Sequence, residues 1–338
     1  MNRSRLRRSV AFLIVLLAAA GPLSTSGAQD LSLTDQVIER VLDNGLTVLM
    51  VERPQTPLIR CILAYRVGGV NERPGITGIS HFHEHMMFKG SYSMGVKPGM
   101  LERDQEIMAQ IDEVMALIVE EESKTKGRDE QKIIEWKAQV SELINQQREE
   151  TMLSEELWGA YQEAGGTGIN ASTGSEMTQY YVTLPKNKIE LYLALEADRM
   201  VNPVFREFYS ERDVITEERR MSENRPGFFF NEQLNATFYG AHPYSSGVIG
   251  WMSDVSRITR DEMKEYRDLY YRPDNATLVM AGDIDVDAVM ALVEQYFGDI
   301  PSRGKSPRVR TREPSPEYYR ETVGPDFDAP YIEKRVYG

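Results

Sequence analysis

Three of the chain's four histidines, His81, His83 and His85, fall within five residues of "GISHFHEHMMFKG" (78–90), with Glu84 among them. Imidazoles and a carboxylate this close can hold a metal ion or simply make a polar helix face. Helical spacing sorts them. At about 100° per residue, His85 lies about 40° around from His81, and Glu84 about 60° to the other side. His83 sits about 160° from His85 and points elsewhere. His81 and His85 can share one ion; His83 cannot join them.

Two imidazoles at i and i+4 suit Zn²⁺. A catalytic zinc keeps three protein ligands and one open position, so a third ligand must come from another part of the chain. Glu84 is close enough to act on a water at the open position and poorly placed to bind the ion as well. It reads as the general base. The order H-x-x-E-H inverts the H-E-x-x-H motif of zinc peptidases.

The elements around the motif can be read from punctuation and period. "VIERVLDNGLTVLMVE" has an Asn44-Gly45 turn between two apolar runs, which predicts a hairpin. "LIRCILAYRVGG" reads as a further strand, ended by Pro74 and Gly75, and Ser80 is expected to cap the motif helix. Ile107, Met108, Ile111, Val114, Met115 and Ile118, then Ile133, Trp136, Val140, Leu143 and Ile144, recur at intervals of three and four. They predict an antiparallel helical hairpin over about 99–157, its dense charge a solvated face. "AGGTGINASTGSEMTQYYVTLP" and "NATLVMAGDID" read as strands. "IELYLALEADRMV", "EFYSERDVITEERRMSENR", "DEMKEYRDLYY" and "VDAVMALVEQYFG" read as helices. The mixture predicts an α+β fold, an antiparallel sheet packed with helices.

Composition sets bounds. With 41% apolar and 27% charged residues, the 338-residue chain can bury a sizeable core. "MNRSRLRRS" followed by "VAFLIVLLAAA" and the small residues Ser26 and Ala28 predicts an export signal over 1–28. Its apolar run is short of the roughly 20 residues a span needs, so no stable membrane insertion is expected after cleavage. The expected location is periplasmic or secreted. The net charge of −13 becomes −17 once the four arginines of that segment are gone, which argues against nucleic acid as a partner. Cys61 is the only cysteine, so no intramolecular disulfide and no cysteine-based zinc site can form.

Several ordered blocks carry a family resemblance: "GISHFHEHMMFKGS", "NASTGSEMTQYYVTLP", "ALEADRMVNPVF", "ERDVITEERR", "HPYSSGVIG" and "YYRPDNATLVMAGDID". Together they resemble the pitrilysin-type inverzincin (HxxEH) zinc metallopeptidases, the group of insulin-degrading enzyme and mitochondrial processing peptidase. The resemblance runs from about Val37 to Pro301, interrupted by the helical hairpin. It implies one LuxS/processing-peptidase-like half, a zinc peptidase domain over 35–301. It implies one Zn²⁺ per chain on His81, His85 and Glu218, with Glu84 as the catalytic base. Glu211, seven residues before Glu218, then steadies a ligand histidine through a hydrogen bond. Asn170 and Ala171 match the edge strand that such enzymes offer to substrate.

The gap from His85 to Glu218 is longer than in typical members, and the hairpin accounts for the excess. Sequence leaves open whether the hairpin is a lid, a docking arm or a spacer. His242 has no zinc role by resemblance and is expected to be structural. Residues 302–338 have linker composition, and "DAPYIEKRVYG" resembles the opening strand of a second half. The expected activity is hydrolysis of peptides or unfolded polypeptides. The alternative is a non-catalytic or half-catalytic subunit. Either could depend on a homologous second-half subunit or a homodimer.

Overall fold

The computed structural model describes residues 33–302 and 304–314. The expected export signal, and the strand expected near the end of the chain, lie outside them. The described residues before Ile38 form one 3₁₀ turn, Leu33–Gln36, a unit apart from the body that follows. From Ile38 onward the described residues carry six strands in one sheet.

The strands are β1 (Ile38–Val41), β2 (Thr47–Glu52), β3 (Leu58–Tyr65), β4 (Thr167–Thr173), β5 (Thr178–Pro185) and β6 (Ala276–Gly282), in the order β1-β2-β6-β3-β5-β4. The helices are α1 (Ile79–Met86), α2 (Leu101–Ser123), α3 (Glu130–Glu150), α4 (Glu156–Glu163), α5 (Ile189–Val201), α6 (Phe208–Glu223), α7 (Phe228–Phe238), α8 (Met252–Val255), α9 (Arg260–Tyr270) and α10 (Val286–Phe297). All neighbouring strands are antiparallel except β2 and β6, which run parallel. The α+β class holds. The parallel pair arises because β6, late in the chain, inserts between β2 and β3.

Alternation fixes the register. One row across the sheet is Met50, Met280, Cys61 and Val182, and the next is Val48, Leu278, Leu63, Tyr180 and Ala171. Every one of these side chains is buried. A slip by one residue would turn the whole row outward, so the apolar face selects the pairing. On this face α5 packs against β3 and α10, while α1 packs against β4, β5, α6 and α9. Cys61 is fully buried in the middle of the sheet. Burial pushes its thiol pKa up, and the nearby Glu196 adds to the shift.

Helices α2 and α3 form the antiparallel hairpin and have a small core of their own. Ile107, Ile111, Val114, Met115 and Ile118 meet Ile133 and Val140 there. The hairpin ends at Glu150, and α4 follows as a separate helix that the sequence reading did not resolve. Helix α7 was missed as well.

The start of α1 departs from expectation. Ser80 is not its cap; it lies inside the helix, where its hydroxyl is 2.7 Å from the Tyr266 hydroxyl. Gly78 is the cap residue, at φ 89°. A side chain there would place Cβ 2.7 Å from the Ile249 carbonyl oxygen, so glycine is required by both conformation and crowding. The open helical N–H groups are met from a distance. Glu72 accepts from Gly78 N–H at 2.7 Å and Ser80 N–H at 2.9 Å, a carboxylate at the positive end of the helix.

Candidate metal centre

Helix α1 presents His81, Glu84 and His85 towards α6 and β4, and sends His83 the other way. The His83 ring stacks on Tyr271, centroids 3.6 Å apart, and meets Phe205 edge-on. It is fully buried, and burial with Arg267 and Arg199 nearby holds its pKa well below the usual value. His83 is a neutral core residue.

Glu218, on α6, approaches from the opposite side. Its Oε2 lies 3.8 Å from Nε2 of His81 and 3.8 Å from Nε2 of His85. One ligand atom from each of the three residues falls within 4.8 Å of the others. Ligand atoms of a tetrahedral zinc, with bonds of about 2.0–2.1 Å, stand about 3.3 Å apart. Two imidazole nitrogens and one carboxylate oxygen therefore fit the ion in donor type and come close to it in spacing. Glu217, next to Glu218, turns away and pairs with Arg220 at 3.1 Å.

The two histidines are held differently. Glu211, in the first turn of α6, brings Oε1 to 2.9 Å from His85 Nδ1. That contact places the proton on Nδ1 and leaves the Nε2 lone pair facing Glu218. His81 Nδ1 is buried without a hydrogen-bond partner, so packing alone orients that ring. Burial, with His85 alongside, pushes the His81 pKa down to about 4 against the pull of Glu218. A neutral imidazole is the form a metal needs. Burial also lowers His85, but the hydrogen bond and charge of Glu211, with Glu84 and Glu218, outweigh it and raise its pKa. Burial raises Glu211, yet His85 and Lys89 more than reverse this and bring it to about 2.

Glu84 sits beside this group. Its Oε2 accepts from the Thr173 hydroxyl on β4 at 2.5 Å. Burial raises its pKa, and the Thr173 bond offsets part of the rise. Asn170 and Ala171 lie on β4, one of the two terminal strands of the sheet. Ala171 points into the core row, and the Asn170 side chain accepts from the Ala171 N–H at 2.9 Å. His242 caps a short turn, accepting from Tyr244 N–H at 3.2 Å, and is remote from the ligand group in its contacts. Sequence reasoning missed Thr173 and Lys89, although both stand in the quoted blocks. Lys89 is four residues after His85, which was a usable signal.

Residues 47–96 and 148–250 match the family model described as "Insulinase (Peptidase family M16)", and 257–333 match that of "Peptidase M16 inactive domain". Together the two take in more than half of the chain. The chain belongs to peptidase family M16. The interval between the first two M16 segments is where α2 and α3 stand. "Zinc protease PqqE" of Helicobacter pylori is 28% identical over 261 residues, 76% of this chain and 45% of that protein. The M16 fold recurs in a protease structure from Helicobacter pylori, at a TM-score of 0.58 and 24% identity, covering 84% of this chain and 54% of that one. It recurs again in the first half of the periplasmic protease PqqL from Escherichia coli, at 0.60 and 19%, covering 83% and 49%. This M16 chain thus spans about half the length of the proteins it matches.

Proposed function

We propose that this chain is the metal-bearing half of an exported zinc endopeptidase that hydrolyses peptides or unfolded polypeptides. The convergence of His81 and His85 Nε2 on Glu218 Oε2, with Glu84 on the same side of α1, carries this reading. His81, His85 and Glu218 would hold one zinc per chain, and Glu211 fixes the His85 tautomer for it. When bound, zinc supplies Lewis acidity to a peptide carbonyl and lowers the pKa of a water. Glu84 takes the water's proton on the oxygen that Thr173 leaves free. The substrate main chain joins the outer edge of β4 beside Asn170 and Ala171 as an added strand.

The names of the relatives support zinc and, for PqqL, a periplasmic setting. Among the described residues no helix is long and apolar enough to cross a membrane. The export signal over 1–28 and the domain over 35–301 belong to the same proposal. So does a substrate chamber completed by a second half, a homologous subunit or a second copy.

A second reading, a subunit with no activity of its own, draws on the match of 257–333 to the inactive-domain model. Zinc content and peptide hydrolysis by the purified chain, alone and mixed with a second-half homologue, separate the two. Zinc near one equivalent is expected, with hydrolysis present or appearing on mixing. Glu84→Gln keeps the zinc and lowers kcat by about a thousandfold or more, within the range for loss of a general base. Glu218→Gln loses the zinc. A chain without zinc, or Glu84→Gln at wild-type rate, sinks the enzyme reading.

A further inference from the structure

The helical hairpin reaches His85 through a continuous series of charged groups. Arg148, in the last turn of α3, donates Nε to Glu207 Oε1 at 2.8 Å and Nη2 to Ser210 Oγ at 3.3 Å. The other oxygen of Glu207 is 3.5 Å from Lys89 Nζ. Lys89 Nζ is in turn 2.6 Å from Glu211 Oε2, and Glu211 Oε1 meets His85 Nδ1 at 2.9 Å. Each carboxylate is bidentate, one oxygen to each neighbour. The Lys89, Glu207 and Glu211 side chains are only 26%, 17% and 12% exposed, so solvent screens their attraction weakly.

The same hairpin grips the residues that lead into α6. Asp104 of α2 accepts from Arg206 Nε at 2.7 Å, both side chains fully buried. Asp112 of α2 accepts from the Tyr209 hydroxyl at 2.9 Å and from Arg260 Nε at 2.9 Å. Phe205 and Glu207, on either side of Arg206, hold φ of 57° and 55°, a left-handed conformation that non-glycine residues keep only when their surroundings force it. Helix α6 carries both Glu211 and Glu218.

We propose that the hairpin is a positioning element for the metal centre. Arg148, acting through Glu207 and Lys89, fixes Glu211 against His85 Nδ1 and so sets the affinity for the metal. Lys89 and Arg148 are positioning residues; neither touches the ligand atoms. The proposal rests on the reading of His81, His85 and Glu218 as ligands.

The test is competition for zinc between a chelator and the full chain, started metal-free, with thermal unfolding of each metal-free variant alongside. Lys89→Met is expected to weaken zinc binding about tenfold, the low end for loss of an outer partner of a metal ligand. Arg148→Ala, at a side chain 45% exposed, weakens it about threefold with little change in unfolding. The double variant binds like Lys89→Met alone, because Arg148 acts through Lys89. Lys89→Arg keeps the charge and restores affinity to within about twofold. Lys137→Ala, which removes the hairpin's exposed pair with Glu122, leaves affinity unchanged. Wild-type affinity in both single variants, additive losses in the double variant, or an equal loss in Lys137→Ala overturns the relay while zinc binding itself stands. A wild-type chain that takes up no zinc overturns the ligand assignment and the relay with it.

Discussion

The His85–Glu211 contact makes stability depend on pH in a direction that follows from its two pKa shifts. The Glu211 carboxyl falls from 4.5 to about 2 on folding, so between those values the unfolded chain holds the extra proton. Its stabilising contribution is complete above about pH 4.5 and is lost as the pH falls towards 2; the shift corresponds to roughly 3 kcal/mol. His85 is raised instead, so its share is present below its ordinary 6.5 and fades as the pH rises through the folded value. For metal-free protein, the urea midpoint is expected to drop between pH 5 and 3 and to do so much less in Glu211→Gln. Identical profiles for the two chains would show that the contact stabilises nothing. His81, Glu84 and His85 were legible in sequence because a helix fixes neighbours three and four apart. Thr173 was not, because its hydroxyl reaches Glu84 only after β4 has paired with β5.

Period made most secondary structure readable: the alternation of β3, β5 and β6, and the three-and-four spacing of α2 and α3, are local. What escaped depends on tertiary partners. The start of α1 is capped by Glu72 from six residues upstream of Gly78, and the seat of the hairpin depends on Asp104 meeting Arg206 across 102 positions. Asp104 also accepts from Gln147 at 2.9 Å and Thr151 at 3.0 Å, tying both ends of the hairpin to one buried carboxylate. Removing one partner of such a pair leaves an uncompensated buried charge and costs about 3–5 kcal/mol. Asp104→Ala is therefore expected to lower the unfolding free energy by about that much in denaturant titration. A loss under about 1 kcal/mol would mean that the hairpin is seated by its apolar contacts alone. Left-handed Phe205 and Glu207 add about 1 kcal/mol of strain or more apiece, which the Asp104 anchor has to hold in place.

At the scale of the molecule, the late arrival of β6 between β2 and β3 closes the sheet, so residues near 50 and near 280 must be brought together before the core is complete. No short-range signal encodes that pairing, and contacts so far apart in sequence slow folding. The sheet leaves β4 as one terminal strand and β1 as the other. The centre of the sheet also contains a built-in clock. Cys61 is the chain's only thiol, is fully buried, and is flanked by Val182 and Met280 on the two neighbouring strands. A thiol reagent reaches it only when the central strands part, since the thiolate is the reactive form and burial suppresses it. With reagent in excess, the native chain should be alkylated in one exponential phase at the rate of its global opening, with no label added. Bound zinc should stretch that time; prompt labelling of the folded chain would mean that the sheet opens locally at its middle.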